Sequence, residues 1–232
     1  MIKKLLVTLL AFMLFGCTEQ SGGIFQEEAE GSVTHFKDDT HGTYASTYVP
    51  LPSENTVIRN ATVFDGDGNK FLNYDVQFSN GKIAAIGRDL QVDDATEIDG
   101  SGKYVTPGII DNHSHMGVYT APGVRTSSDG NEATSPNTAE VWAEHSVWSQ
   151  DPQYKLALAG GITTFHVLPG SANLFGGRGV TLKNVSGNTV PDMKFPDAPH
   201  SLKMACGENP KRVYSSRGPS TRMGNVAGYR NA

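Results

Sequence analysis

The sequence predicts an α/β protein in which a small antiparallel β-sandwich region precedes an alternation of strand and helix. Three observations carry this. Residues 55–105 are rich in β-branched residues punctuated by tight-turn pairs. Leu156-Ala-Leu-Ala-Gly-Gly161 leads into Ile162-Thr-Thr-Phe-His-Val-Leu168, a helix stopped by glycine and followed by an apolar strand. Between them, Ile109-Ile110 is a short apolar run fit for a buried strand. Disorder throughout is excluded because such runs recur along a chain that is 38% hydrophobic. The net charge of -5 and the absence of a basic stripe argue against nucleic acid as a partner.

Residues 1–17 read as a targeting segment. Lys3-Lys4 is followed by an apolar run from Leu5 to Phe15 that is short for a membrane span. Leu14-Phe15-Gly16-Cys17 resembles a bacterial lipobox, with Cys17 as the lipidated residue of a protein exported to the cell envelope. Phe15 is bulkier than that pattern prefers, which leaves plain secretion open, and an uncleaved anchor helix is the third alternative. Past Cys17 the chain holds only Cys206, so no intramolecular disulfide is expected in the mature protein. Residues 18–54 read as a flexible tether, with Ser-Gly-Gly and the acidic Glu27, Glu28 and Glu30. His35 and His41 lie there in a polar setting and are read as solvated.

In 55–105, Thr56–Val63 is a strand, Asp65-Gly-Asp-Gly68 a turn and Asp75–Phe78 a second strand. Asn80-Gly81 is a two-residue hairpin into Lys82–Ile86, and Asp99-Gly-Ser-Gly102 turns the chain before Tyr104-Val105. A sheet this small has a marginal core and needs a neighbour.

The stretch Thr106-Pro-Gly-Ile-Ile-Asp-Asn-His-Ser-His-Met-Gly117 carries the chemistry. Asp111, His113 and His115 sit at i, i+2 and i+4, and side chains two apart on a strand share a face. Two imidazoles held together on a rigid element supply the first two ligands of a divalent transition metal. The structural alternative is a strand running into a histidine-containing turn.

Val57-Ile-Arg-Asn-Ala-Thr-Val63, Asn80-Gly-Lys-Ile-Ala-Ala-Ile-Gly87 and Ile98-Asp-Gly through Asp111-Asn-His-Ser-His115 together resemble the metal-dependent amidohydrolase superfamily. Within it, the imidazolonepropionase-like secreted amidohydrolases are the nearer likeness. The resemblance runs from about Thr56 to the end of the chain and is most specific from Val105 to Met116. It implies a composite β-sandwich beside a (β/α)8 TIM barrel, with 106–232 as the first part of that barrel. It also implies His113 and His115 as metal ligands ending the first barrel strand, with zinc as the default metal and Asp111 at most a partner behind them.

Gly117 to Thr138 is too long for an ordinary connection and is expected at the mouth of the site. Ala139–Trp148 has helical composition; His145 within it is read as packing its ring. Asp151-Pro152 opens a helix. In the strand Ile162–Leu168, His166 is read as a barrel-interior or helix-facing residue in preference to a ligand. Gly170-Ser-Ala-Asn-Leu-Phe-Gly-Gly-Arg-Gly179 lacks the Gly-Lys-Ser/Thr of a phosphate loop. It is read as a loop near the mouth, in which Arg178 is a candidate clamp for a substrate carboxylate or the partner of a neighbouring loop.

Val180–Lys183 reads as a strand, and Leu202–Cys206 as a further buried strand ending in Gly207-Glu208-Asn209-Pro210. Glu208, just past a strand end, is a candidate metal ligand and catalytic base. The resemblance also admits a carbamylated lysine there, for which Lys203 is the candidate. Lys203 is placed near the start of its strand, so Glu208 is preferred. Lys211-Arg212 meets an anionic substrate group or solvent, and a helix opens at Thr221.

A whole TIM barrel takes about 250 residues, and fewer follow Ile109. The family's later histidines and aspartate have no counterpart, so the chain is expected to be an N-terminal fragment, inactive alone. Three functions follow from different classes: hydrolysis of a non-peptide C–N bond in a cyclic amide or N-acyl amino acid, deamination of a heterocyclic amine, and a non-catalytic surface lipoprotein.

Overall fold

The computed structural model describes residues 43–232. The targeting segment with Cys17, and His35 and His41, lie outside the described residues.

The first sheet contains β1 (Thr56–Phe64), β2 (Lys70–Ser79), β3 (Lys82–Gly87), β4 (Thr96–Asp99) and β5 (Tyr104–Val105). The hairpin between β2 and β3 turns on Asn80 and Gly81 with φ of 51° and 72°, the left-handed pair that a two-residue hairpin demands. Between β1 and β2, Asp65 closes the turn by accepting from the Asp67 and Asn69 backbone N–H groups at 2.8 and 3.1 Å. β1 pairs antiparallel with β2 but parallel with both β4 and β5, so the sheet is mixed and not antiparallel as expected. The reason lies in the connections: β4 and β5 reach β1 after the excursion of residues 88–95 and the Asp99–Gly102 turn, and return along its direction. Ala61, Val63 and Val76 form the sheet's small core, with Ile58, Phe71 and Phe78 packed on it.

The second sheet has the order β6 (Ile109–Ser114), β7 (Ile162–Val167), β8 (Phe175–Lys183), β9 (Ser201–Met204). β6 and β7 are parallel, joined through helix α1 (Gln153–Ala159) as the strand–helix–strand rhythm predicts. Asp151, just ahead of α1, is buried and accepts from the backbone N–H groups of Gln153 and, across the long loop, of Gly117. β8 runs antiparallel to β7 and to β9, so β9 recovers the direction of β6 and β7. Phe165, Val167, Val180 and Leu182 face one side and bury against Val118, Ala143, Tyr154 and Met193.

Three local expectations change. The glycine-rich segment is not all loop, because β8 already starts at Phe175 and Gly176, Gly177 and Gly179 lie inside it. A Cβ at Gly179 would stand 2.7–2.8 Å from Leu168, Ser201 and His166, so the close strand approach requires glycine there. Ala139–Trp148 makes only a single 3-10 turn, Ala143–His145. Trp142 beside that turn bridges to Arg178, and Val141 accepts from the Arg178 N–H, so this segment is committed to the sheet edge. Beyond β9, Glu208–Val213 forms a short helix, α3, that the sequence reading did not include, and α4 (Arg222–Arg230) starts at Thr221, where a helix was expected and whose side chain caps it.

Residues 43–54 contain neither strand nor helix, yet their beginning is fastened. Glu144 accepts from the Tyr44 N–H at 2.8 Å, and Lys194 binds Glu144, the Tyr44 carbonyl and the Thr43 hydroxyl. Thr47 N–H reaches the Pro191 carbonyl at 3.0 Å, against helix α2 (Val190–Met193).

Candidate metal centre

The inner face of the second sheet is polar. In β8 the register sets Gly177 opposite Lys203 and Gly179 opposite Ser201, while Thr181 lies opposite His166 of β7. These alternate with the core-facing Val180 and Leu182, as the two-residue strand period requires. His166 spans the face: one ring nitrogen meets the Thr181 hydroxyl at 2.9 Å and the other the Ser201 hydroxyl at 2.6 Å. Burial, with a further contribution from His113, lowers its pKa.

β6 delivers the histidine pair to the end of this face. Its ladder with β7 is irregular between Ile109 and Ile110 and between Asp111 and Ser114, so strict alternation fails. Asp111 consequently turns back on its own chain, where its carboxylate accepts from the His113 N–H at 3.1 Å. The rings of His113 and His115 stand edge to face with centroids 5.4 Å apart.

Each ring has a defined partner. His115 Nδ1 lies 2.8 Å from the Leu168 carbonyl, which only accepts, so Nδ1 carries the proton and Nε2 is the lone-pair nitrogen. That outer hydrogen bond is the kind that orients metal-binding imidazoles. His113 Nε2 lies 3.0 Å from the Lys203 ammonium. The positive charge of Lys203, then burial, then His115 lower the His113 pKa, against an opposing effect of Asp111. Burial lowers that of Lys203 too. Lys203 is 8% exposed, and β9 explains its position. The strand ends at Met204, not Cys206, so Lys203 falls at its C-terminal end beside the histidines.

The other two expected site residues are elsewhere. Glu208 points outward from the first turn of α3 and pairs with Arg212 at 3.4 Å, with both side chains about two-thirds exposed (69% and 67%). Helix α3 draws it from the strand end. Arg178 faces the opposite side of β8 from Lys203, since it pairs with Leu202, and its guanidinium lies 4.9 Å from the Trp142 ring centre. The structure therefore brings together His113, His115 and Lys203, and turns Glu208 and Arg178 away. Leu168 was invisible to residue-type reasoning because it contributes only a backbone carbonyl.

Beside the site, a cleft of about 480 Å³ opens between the long loop and the 3-10 turn, lined by Gly130, Asn131, Trp142, His145 and Pro169 among others. His145 is exposed, and the Tyr44 ring packs edge-on against it.

Comparison with known proteins adds to this geometry. No family model matches the chain. It is 33% identical over 206 residues to an amidohydrolase of Hapsidospora irregularis, a match covering 76% of this chain and 21% of that relative. A crystal structure of an amidohydrolase from Thermotoga maritima matches with a TM-score of 0.69 at 43% identity, over 76% of this chain and 46% of that one. The chain belongs to the metal-dependent amidohydrolase superfamily. A dihydroorotase of a Thermoanaerobacter strain is 38% identical over 79 residues, 34% of this amidohydrolase chain and 18% of that relative. This amidohydrolase chain thus spans less than half the length of the relatives it matches.

Proposed function

We propose that the chain contributes the opening part of a metal-dependent amidohydrolase that hydrolyses a non-peptide carbon–nitrogen bond. The substrate class is a cyclic amide or N-acyl amino acid, imidazolonepropionase-like. The four-stranded sheet is read as the first part of a (β/α)8 barrel and β1–β5 as part of the accompanying sandwich. The carrying observation is the His115 ring, whose Nδ1 is committed to the Leu168 carbonyl while Nε2 keeps its lone pair beside His113.

The donor set fits a divalent metal, with zinc the expected ion. Among the described residues no cluster of three or more His, Cys, Asp or Glu exists, so the protein-derived ligands here are His113 and His115, with Lys203 next to them. Burial holds the Lys203 pKa below the ordinary lysine value, and the amine, once it has given up its proton, is the form that would coordinate directly or take up carbon dioxide as a carbamate with release of a further proton. A bound metal would supply a water of lowered pKa and polarise the scissile carbonyl. The chain's own groups then have separate tasks. Leu168 fixes the His115 tautomer, Lys203 sets the charge at His113, and the neighbouring cleft receives the substrate.

Zinc content of the purified protein tests the assignment. The parent is expected to hold zinc that His113→Ala and His115→Ala lose; equal zinc in parent and His113→Ala would sink it. In a full-length protein containing this chain, turnover of cyclic amides and N-acyl amino acids without ammonia release supports hydrolysis, whereas ammonia from heterocyclic amines would favour the deaminase reading. Export and lipid attachment through Cys17 are part of this proposal, supported by the N-terminal sequence pattern and checked by labelling with a radioactive fatty acid.

A further inference from the structure

We infer that Tyr119 is a positioning residue for the His115 imidazole, locked in its slot by Asn131 and by glycines at 130 and 170. The Tyr119 ring meets the His115 ring edge to face, with centroids 5.5 Å apart and planes at 77°. Its phenol oxygen accepts from the Asn131 amide, whose own oxygen accepts from the Ala172 N–H at 3.1 Å. The slot is shaped for an aromatic ring. A Cβ at Gly130 would come within 2.3–2.7 Å of three Tyr119 ring carbons, and one at Gly170 within 2.4 Å of the phenol oxygen. The loop backbone is tied down on the same side, where Gly170 N–H donates to the Gly130 carbonyl at 2.6 Å and Tyr119 N–H to the His115 carbonyl at 3.0 Å.

The consequence concerns rotation of the imidazole. Flipping the His115 ring by half a turn would break the bond from Nδ1 to Leu168 and remove the lone pair from its present position. One hydrogen bond restrains such a flip only modestly. A ring packed against the imidazole and itself held at its far end adds a steric barrier. Asn131 lines the cleft, so the same side chain touches the space offered to substrate and the residue that steadies a metal ligand. The effect on metal affinity rests on the metal reading above; the restraint on the ring does not.

The experiment is nitrogen-15 NMR of the imidazoles in the metal-free chain, followed by cobalt(II) titration read from visible absorption. The parent His115 is expected as a single Nδ1–H tautomer. Tyr119→Leu should mix the tautomers and weaken cobalt binding by about tenfold, the usual scale for an outer partner of a metal ligand. Tyr119→Phe, which keeps the ring but loses the Asn131 hydrogen bond, should fall between the parent and Tyr119→Leu in both. Gly130→Ala leaves Tyr119 in the sequence but displaces its ring, and should resemble Tyr119→Leu. That variant also covers the case in which Tyr119→Leu does not fold. A single His115 tautomer in folded Tyr119→Leu, or in Gly130→Ala, overturns the proposal. If the parent binds no cobalt while the tautomers respond as expected, the metal reading falls and the positioning role stands.

Discussion

In the first sheet the buried carboxylate of Asp75 accepts from the backbone N–H groups of Asn60 and Leu90 and from the Arg59 guanidinium, at 2.9 to 3.1 Å. In the second sheet the Lys203 side-chain nitrogen lies 3.0 Å from His113 Nε2, while His115 commits Nδ1 to the Leu168 carbonyl and keeps its other ring nitrogen as a lone pair. Both regions bury polar atoms at a cost. The first closes every bond among its own strands and gains stability. The second keeps a ring nitrogen of His115 out of its bond to Leu168, the feature on which the proposed metal site rests. Satisfaction of polar groups, more than their number, separates the first sheet from the one proposed to bind metal.

The sharpest way to break this contrast is to damage the second sheet without touching its site. Leu182 is fully buried on the core face, so Leu182→Ala should cost about 2–5 kcal/mol in urea unfolding. Once folded at low temperature, that variant should still take up zinc.

In the first sheet, Asp75→Ala strands the Asn60 and Leu90 N–H groups and should cost about 2–3 kcal/mol, with zinc content unchanged. Loss of zinc there would show that the two regions are not independent. Asp75 also carries a pH signature. Burial raises its pKa, but the Asn60 N–H, Arg59 and the Leu90 N–H together hold it below the ordinary carboxylate value. A depressed folded pKa contributes stability that is present above the unfolded value, about 3.9, and lost as pH falls through the folded one. Urea midpoints of the parent should therefore drop below about pH 4, and Asp75→Asn should flatten that drop.

A smaller effect is expected at the hairpin. Gly81→Ala has room for its methyl group, whose nearest neighbour is Ser53 at 3.6 Å, but must hold φ of 72°, so about 1 kcal/mol is expected from backbone strain alone. The smallest belongs to Glu208. Glu208→Gln should change unfolding by less than about 0.5 kcal/mol and leave zinc content unaltered, because the exposed pair with Arg212 is screened by solvent. Zinc loss in Glu208→Gln would restore it to the site.

Much of this molecule was legible from local pattern. Asn80-Gly81, the glycine stop at Gly160-Gly161 and the apolar run of Ile162–Val167 each act within a few residues, so β2–β3, α1 and β7 could be read directly. The His113 and His115 pair was visible because the two lie two residues apart at the end of β6, although the irregular ladder there does not keep strict alternation. Other features needed partners distant in sequence. Whether β4 and β5 run parallel or antiparallel to β1 depends on where their connections lead. The faces of Lys203 and Arg178 depend on the register between β8 and β9, and a shift of one residue exchanges them. Glu208 was lost to the site because a helix too short to announce itself begins there.

The sequence by itself determined the α/β class, the hairpin and the histidine pair, because short-range turn chemistry and side-chain period suffice for them. Only the tertiary structure decided that Lys203 meets His113, that the Leu168 carbonyl selects the His115 tautomer and that Tyr119 packs on that ring. The first two contacts join residues far apart in the chain, and a backbone carbonyl or a glycine-lined slot leaves no mark in residue type.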